Sequence, residues 1–284
     1  MQYYHSNNDK TITCLLCRHH CTLKEGSYGI CGINYNKDGS LGNKVYNHPV
    51  ALHIDPIEKK PLFHFLPGTQ TFSLGTVGCN FKCPFCQNHS ISQTNNIDTS
   101  LDYPPEHIVT LALHYKTQSI SYTYNEPTIW YPYARDIGMR AKQQGLKNIF
   151  VSNGYESEIV LQDMTGWVNA ANIDLKSFSS QYYKTVLKAD LEGVLQTLAF
   201  LADSPIHLEI TTLLVPEHND SNDEIANMAR FIAEELKNDI PWHINAFHPD
   251  YKMLDSQATK ANTLHNAKKI AHDFGIKHVY LGNI

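Results

Sequence analysis

Three cysteines stand in one short stretch, GTVGCNFKCPFCQN: Cys79, Cys83 and Cys86, in the order C-x3-C-x2-C. Thiolates at such spacing ligate iron–sulfur clusters or zinc. A [4Fe–4S] cluster has four irons, and this loop supplies ligands for three of them. No fourth cysteine lies nearby. One iron then keeps a position open for a substrate or cofactor, much as catalytic zinc leaves one place unfilled. The plainer reading of the same residues is a structural zinc or an ordinary ferredoxin-type site. A second group, Cys14, Cys17, Cys21 and Cys31, follows C-x2-C-x3-C-x9-C. Its four thiolates complete one closed site, either tetrahedral zinc or a second [4Fe–4S] cluster. Zinc patterns usually carry two C-x2-C pairs and only one occurs here, so both readings stay open. Either would staple a region short of its own core, and a second cluster would add an electron route to the first.

Other polar residues fall at the ends of β-rich runs. Glu126-Pro127 follows SISYTYN, and Ser152 and Asn153 close NIFVSN. Asp174 and Lys176 in NIDLKS share parity, so both point to one side of a strand. A lysine facing a barrel interior must meet an anion, although an ion pair at the rim would satisfy it too. Thr212 and Val215-Pro216 end HLEITTLLVP, and WHINAFH places His243, Asn245 and Phe247 on one face with His248 at its end. His243, Asn245 and His248 are the candidates to face substrate. For each, a satisfied core or rim position is the competing reading. For Glu126 that reading is a helix-start carboxylate.

These residues need elements to hold them. Residues 1–70 read as an irregular cysteine-rich lead-in, with turn signals such as KDGS and LPGT and a proline-rich approach. From residue 71 to 284, short β-rich runs alternate with helical segments. Ser221 and Glu224 predict a capping box. Leu264, Ala267, Ala271 and Phe274 share a helical face, and Gly275 is a natural stop. Pro127 suits a first helical turn. Alternation of this kind gives parallel strands with right-handed crossovers. Six or seven units are fewer than a closed eightfold barrel needs. An open partial barrel and a doubly wound sheet both fit, and either gathers its site at the strand ends.

Composition excludes several classes. The 284 residues carry a formal charge of -5, which gives no reason to expect a nucleic-acid partner and weakens a zinc-ribbon reading. No apolar run reaches membrane-spanning length, and MQYYHSNNDK lacks a signal-peptide layout. A cytoplasmic location is the default. Seven cysteines in two tight groups read as two metal sites rather than a disulfide framework.

The C-x3-C-x2-C loop after a strand, with Phe85 just before its last cysteine, resembles the radical S-adenosylmethionine (radical SAM) superfamily. That resemblance implies an α/β fold: a partial (β/α)6-type barrel preceded by the cysteine-rich segment. It implies that SAM chelates the open iron of the Cys79, Cys83 and Cys86 cluster. Reductive cleavage then yields a 5′-deoxyadenosyl radical that abstracts hydrogen. By the same resemblance Glu126 meets the SAM amino group, although Tyr124-Asn125 stand where relatives carry glycines. Lys176 meets the carboxylate, with Asp174 holding the region through, at most, a monovalent cation. Val215 lies at the adenine, Thr212 at the ribose or methionine, and Phe85 and Asn153 in the same cofactor site. The wider set CLLCRHHC, EGSYGICGI, HPVALHIDPIEKKPLFHFLPG, SYTYNEPTIW and NIDLKSF is similar to the AmmeMemoRadiSam-system radical SAM enzymes, relatives of pyruvate formate-lyase activating enzymes. This implies Memo-like and AMMECR-type partners and a reductant such as flavodoxin or ferredoxin. Such enzymes commonly continue into a tail with a cysteine pair, whereas this sequence stops at Ile284. The expected activity is hydrogen abstraction from an unidentified substrate. The alternatives are a glycyl-radical activase acting on a protein, and a non-catalytic iron–sulfur or zinc protein serving electron transfer or binding.

Overall fold

The computed structural model describes residues 2–7 and 9–284. Strands β1 (Tyr4–Ser6), β2 (Ile12–Cys14) and β3 (Thr22–Leu23) form a small antiparallel sheet, and β4 (Asn34–Lys37) and β5 (Ser40–Asn43) a hairpin. The KDGS signal turns that hairpin: Asp38 and Gly39 have φ of 51° and 78°, the left-handed pair of a tight two-residue loop.

Eight further strands build the main sheet: β6 (Ala51–Pro56), β7 (Gln70–Gly75), β8 (Ser119–Tyr122), β9 (Lys147–Ser152), β10 (Ala170–Asp174), β11 (His207–Leu214), β12 (Trp242–Ala246) and β13 (Val279–Gly282). Their spatial order follows their chain order without reversal. Strand β6 runs antiparallel to β7, and each later strand is parallel to the one before it. A doubly wound sheet must reverse at a switch point, so the absence of one decides for the partial barrel. Strands β6 and β13 are the two edges. Strand β6 lies within the stretch read from sequence as irregular lead-in. Its run is short and ends in Pro56, a residue that strands accept at edges.

Helices α1 (His89–Ser92), α2 (Pro105–His114), α3 (Tyr131–Gln143), α4 (Glu158–Met164), α5 (Ser180–Tyr182), α6 (Leu191–Asp203), α7 (Asn222–Arg230) and α8 (Ala261–Asp273) fill the crossovers. The Ser221 hydroxyl accepts from the Glu224 N–H at 3.2 Å, as a cap should. The Glu224 carboxylate turns away from the cap to Ser177 Oγ and the Phe178 N–H, so the box forms in one direction only. Gly275 takes φ 89° after α8. Pro127 opens a single tight turn, Pro127–Trp130, that runs into α3.

Between β6 and β7, residues 57–66 fold back across the sheet. Ile57 and Leu62 are buried against Ile149 of β9 and Ala170 of β10. The Asn172 amide donates to the Pro61 carbonyl at 2.8 Å, and the N–H groups of Phe63 and His64 donate to Glu209 at 3.0 and 2.8 Å. The cysteine-rich segment docks on the barrel through the Arg18 N–H to Tyr155 carbonyl bond at 3.1 Å and the Asn34 amide to Ile129 carbonyl bond at 2.6 Å. Among the described residues, no helix is long and apolar enough to cross a membrane.

Candidate active site

A cavity of about 640 Å³ opens at the C-terminal ends of the strands. Cys79, Cys83 and Cys86 reach it from the loop after β7, with Phe85 beside them. Glu126 reaches it after β8 and Asn153 after β9, while Asp174 and Lys176 reach it at the end of β10. Thr211 of β11 and His243 and Asn245 of β12 complete the far wall with Tyr280.

Local structure explains each placement. Gly75 ends β7 where a Cβ would lie 2.7 Å from the Thr123 carbonyl, so only glycine lets the two strands leave side by side. Asn125 ties the loop after β8 to the cysteine loop. Its Nδ2 donates to Thr76 Oγ1 and to the Gly78 carbonyl, both at 3.0 Å. Tyr124 holds φ 70°, a left-handed conformation that favours glycine. The backbone therefore keeps a glycine-like shape without glycine. The ring is anchored instead, its hydroxyl donating to Asp55 at 2.5 Å and Lys60 lying 4.5 Å over its face. Lys60 itself is buried and pairs with Asp55 at 2.6 Å.

The Glu126 carboxylate is almost wholly buried. It accepts from the Thr128 N–H at 2.9 Å, Ser152 Oγ at 2.9 Å and the Asn153 N–H at 2.8 Å. It is thus both a helix-start cap and part of the cavity wall. Burial and the neighbouring Glu156 raise its pKa to about 7, so a cation arriving there would be welcome. Lys176 Nζ lies 2.8 Å from Asp174 Oδ2. Burial opposes its charge, but Asp174 and the Cys83 sulfur outweigh burial and raise its pKa. Burial pushes the Cys83 thiol up to about 12, with Lys176 working the other way.

Glu209 lies on β11 behind His243. It accepts from His243 Nε2 at 2.6 Å and His207 Nε2 at 3.0 Å, besides the two backbone groups of the 57–66 segment. Burial works to raise its pKa, yet these four donors bring it to about 2. The His243 ring is thereby fixed, edge-on to Phe63 at 4.8 Å and stacked on Tyr280 at 5.3 Å.

Several expected positions are corrected. Thr212 does not reach the cavity. Its hydroxyl donates to the Leu175 carbonyl and accepts from Trp242 Nε1, both at 2.9 Å, and it faces Met228 of α7. Thr211 takes the inner position because successive strand residues alternate faces. Val215 is fully buried beyond β11, its N–H donating to Asn219 Oδ1 at 2.6 Å, and it does not line the cavity. His248 is exposed at the rim, bonded to the Asn283 carbonyl at 2.8 Å. Sequence reasoning missed Lys60, Tyr280 and Glu209: the runs that hold Lys60 and Glu209 were noticed, but only the fold brings these three side chains to the site.

Among the described residues, no three His, Cys, Asp or Glu side chains are gathered closely enough to hold a single metal ion. The two cysteine groups each line a cavity instead. At the catalytic loop the donor set fits a cluster, whose thiolates bind separate irons, whereas the space among Cys14, Cys17, Cys21 and Cys31 is only about 10 Å³. Around the loop, the Phe81 N–H donates to Cys79 Sγ at 3.4 Å, and Ser92 Oγ lies 3.1 Å from Cys86 Sγ. Buried Asn153 Oδ1 has no partner, although its residue lines the cavity. It is an acceptor waiting for a donor such as an ammonium group.

The open parallel barrel, the three-thiol loop after its first parallel strand and the ring of polar residues at the strand ends define a radical SAM protein. Residues 73–232 match the Radical SAM superfamily, and the chain belongs to it. Reductive cleavage of SAM at an iron–sulfur cluster, giving a 5′-deoxyadenosyl radical that acts on a substrate, is the activity of that family and of this enzyme. The chain is 41% identical over 283 residues to the uncharacterized protein MJ0808 of Methanocaldococcus jannaschii, covering 99% of this chain and 84% of that one. It is 25% identical over 204 residues to MJ1632 of the same archaeon, described as a candidate glycyl-radical enzyme activating enzyme, covering 70% and 76%. In fold it is similar to a domain of pyruvate-formate lyase-activating enzyme from Bacteroides vulgatus (TM-score 0.50, 21% identity, 58% of this chain and 99% of that one). It is also similar in fold to Streptococcus suis SuiB bound to S-adenosylmethionine (TM-score 0.58, 12% identity, 76% and 52%).

Proposed function

We propose that this enzyme is of the activating type and takes a hydrogen atom from a partner polypeptide whose reacting segment enters the 640 Å³ cavity. Similarity to MJ1632 supports this reading. Cys79, Cys83 and Cys86 hold the [4Fe–4S] cluster. Glu126 and the open Asn153 Oδ1 receive the SAM amino group, since carboxylate and amide oxygens match an ammonium. Lys176, kept charged by Asp174, receives the carboxylate, with a monovalent cation beside Asp174 as a further member. Phe85 closes one side, and Thr211 takes the inner place expected of Thr212. The motif set supports membership in the AmmeMemoRadiSam group, with Memo-like and AMMECR-type proteins as partners and flavodoxin or ferredoxin as donor. Seven free cysteines support a reducing, cytoplasmic setting.

The observation that carries the SAM site is the convergence of a three-thiol loop, a buried carboxylate and a paired lysine on one cavity. A second reading, a small polar substrate, draws on His243, Asn245 and Lys60, which line the same space. One experiment separates them. Reconstituted enzyme, dithionite and SAM are mixed with the protein fraction or the small-molecule fraction of a deuterated cell extract. Deuterium in 5′-deoxyadenosine from the protein fraction alone supports the activating type. Deuterium from the small-molecule fraction alone overturns it, and no 5′-deoxyadenosine under any condition overturns the SAM reading as well.

A further inference from the structure

We infer that Lys60 is a substrate-binding residue whose ammonium holds a carboxylate on the molecule or polypeptide that gives up hydrogen. This rests on the proposed reading, in which that partner enters the 640 Å³ cavity. Lys60 lines this cavity, yet it is only 2% exposed. A lysine is seldom buried so far unless it meets an anion. Asp55 supplies part of what it needs, with Nζ 2.6 Å from Asp55 Oδ2.

Asp55 is shared, however. Its Oδ1 lies 3.0 Å from Lys59 Nζ, and its Oδ2 also accepts from the Tyr124 hydroxyl at 2.5 Å. Two ammonium groups therefore lean on one carboxylate. Glu58, also at the cavity, is turned to the Gly68 N–H at 2.6 Å. An ammonium carries three N–H donors. Lys60 gives one to Asp55 and lies 4.5 Å over the Tyr124 ring, which leaves donor capacity for the cavity. Burial lowers the Lys60 pKa and Asp55 opposes that fall. An anion arriving from the cavity would act in the same sense as Asp55.

The lysine is also held still. Its N–H donates to the Ile57 carbonyl at 2.8 Å, and the carbonyl of Pro61, the next residue, accepts from the Asn172 amide at 2.8 Å. Ile57 and Leu62 are buried on either side of it. A charge fixed in advance loses little freedom when an anion arrives. Among the described residues lining the cavity, the lysines are Lys59, Lys60 and Lys176, and none is an arginine. Lys59 is exposed, and Lys176 is given above to the SAM carboxylate, so Lys60 is the buried cation left for substrate. One fixed ammonium, without the fork of an arginine, suits a singly charged carboxylate better than a phosphate. An aspartate or glutamate beside the reacting residue of a polypeptide and a small organic acid offer that same group.

The test crosses a change in the enzyme with a change in the donor. Reconstituted enzyme, dithionite and SAM are titrated with the protein fraction or the small-molecule fraction of a deuterated cell extract. Each fraction is used as it stands and after its carboxyl groups are amidated with carbodiimide and methylamine and the reagents removed. Deuterium in 5′-deoxyadenosine is the readout. For wild type, amidation should raise the amount of donor fraction needed for half-maximal transfer by at least about tenfold, the scale of a lost bond to a charged group. Lys60→Met should raise it by a similar factor with the untreated fraction. Amidation should then add little further, because both changes delete the same pair. Lys60→Arg should restore most of the loss. Amidation that costs wild type nothing, or costs wild type and Lys60→Met equally, overturns the inference. A fall in SAM affinity that accounts for the whole effect of Lys60→Met overturns it too, by giving Lys60 to SAM. The expected pattern from the small-molecule fraction alone supports Lys60 while overturning the activating type. Absence of 5′-deoxyadenosine under every condition overturns this inference together with the SAM reading. Should Lys60→Met fail to fold, Lys60→Gln, which can still donate to Asp55, replaces it, and a wild type indifferent to amidation overturns the inference without any variant.

Discussion

Two adjacent threonines on β11 show what one residue's face decides. Thr211 lines the cavity and Thr212 packs toward α7. Thr212→Val should therefore lose the bonds to Leu175 and Trp242 and destabilise the fold by about 1–3 kcal/mol, with the KM for SAM unchanged. Thr211→Val should raise that KM with a smaller loss of stability. Denaturant melts and initial rates of 5′-deoxyadenosine formation check both, and the reverse pattern would restore Thr212 to the site. The sequence could not separate the pair because HLEITTLL is buried on both faces, where alternation carries no mark of which side is the interior. Asp174 and Lys176 were legible for the opposite reason: charge on a buried face has few places to go. Tyr124 is a second residue-scale case. Tyr124→Phe keeps the left-handed backbone and the ring over Lys60 but removes the hydroxyl from Asp55. A cost of about 2 kcal/mol is expected, in the range for a bond to a charged group, and a denaturant melt measures it.

At the scale of elements, Glu209 joins three pieces: β11 that carries it, β12 through His243, and the 57–66 segment through two N–H groups. Its pKa is lowered from 4.5 to about 2. A carboxylate lowered in the folded state binds fewer protons there than when unfolded between those values. Its contribution is therefore fully present above about pH 4.5 and is lost as pH falls toward 2. At about 1.4 kcal/mol per pH unit the whole is about 3 kcal/mol, with no discount for solvent because the side chain is fully buried. Glu209→Gln should cost about that much at neutral pH, and the difference between wild type and variant should shrink as pH falls through the window. Urea unfolding of both proteins side by side reads the difference and cancels acid effects common to them. A gap that does not narrow with pH would refute the ionic account. None of this was readable beforehand, because PLFHF gave no strand or helix period to tie it to β11, whereas the alternating runs from β7 onward gave the barrel directly.

For the whole molecule, the question is what holds the first fifty residues to the barrel. Their strands are two to four residues long, too short to be stable alone. Ile12, Leu16 and Ile33 are buried in the same core as the barrel, and a few hydrogen bonds such as Asn34 to Ile129 cross the boundary. On the reading that the four N-terminal cysteines hold a metal, its ligation supplies the rest. Thiols without metal must sit buried and neutral; burial, with the Cys31 and Cys21 sulfurs adding to it, raises Cys14 to about 12. Ligation replaces those protons and converts metal affinity into docking energy. The expectation of a metal here rests on spacing alone, four cysteines within eighteen residues. The segment's contact with the catalytic loop had no sequence signal, since it is made across the fold, where a Cβ on Gly78 would lie 2.7 Å from the Cys31 carbonyl and His19 Nε2 lies 3.0 Å from the Asn80 carbonyl. Stripping the metal with chelator and oxidant should therefore speed amide exchange across residues 12–45 at least several-fold. Strands β9 to β11, buried between the helices and the 57–66 segment, should keep their protection. Hydrogen exchange followed by mass spectrometry gives both rates in one experiment. Equal loss of protection throughout would mean that the barrel, and not only its attached segment, depends on metal.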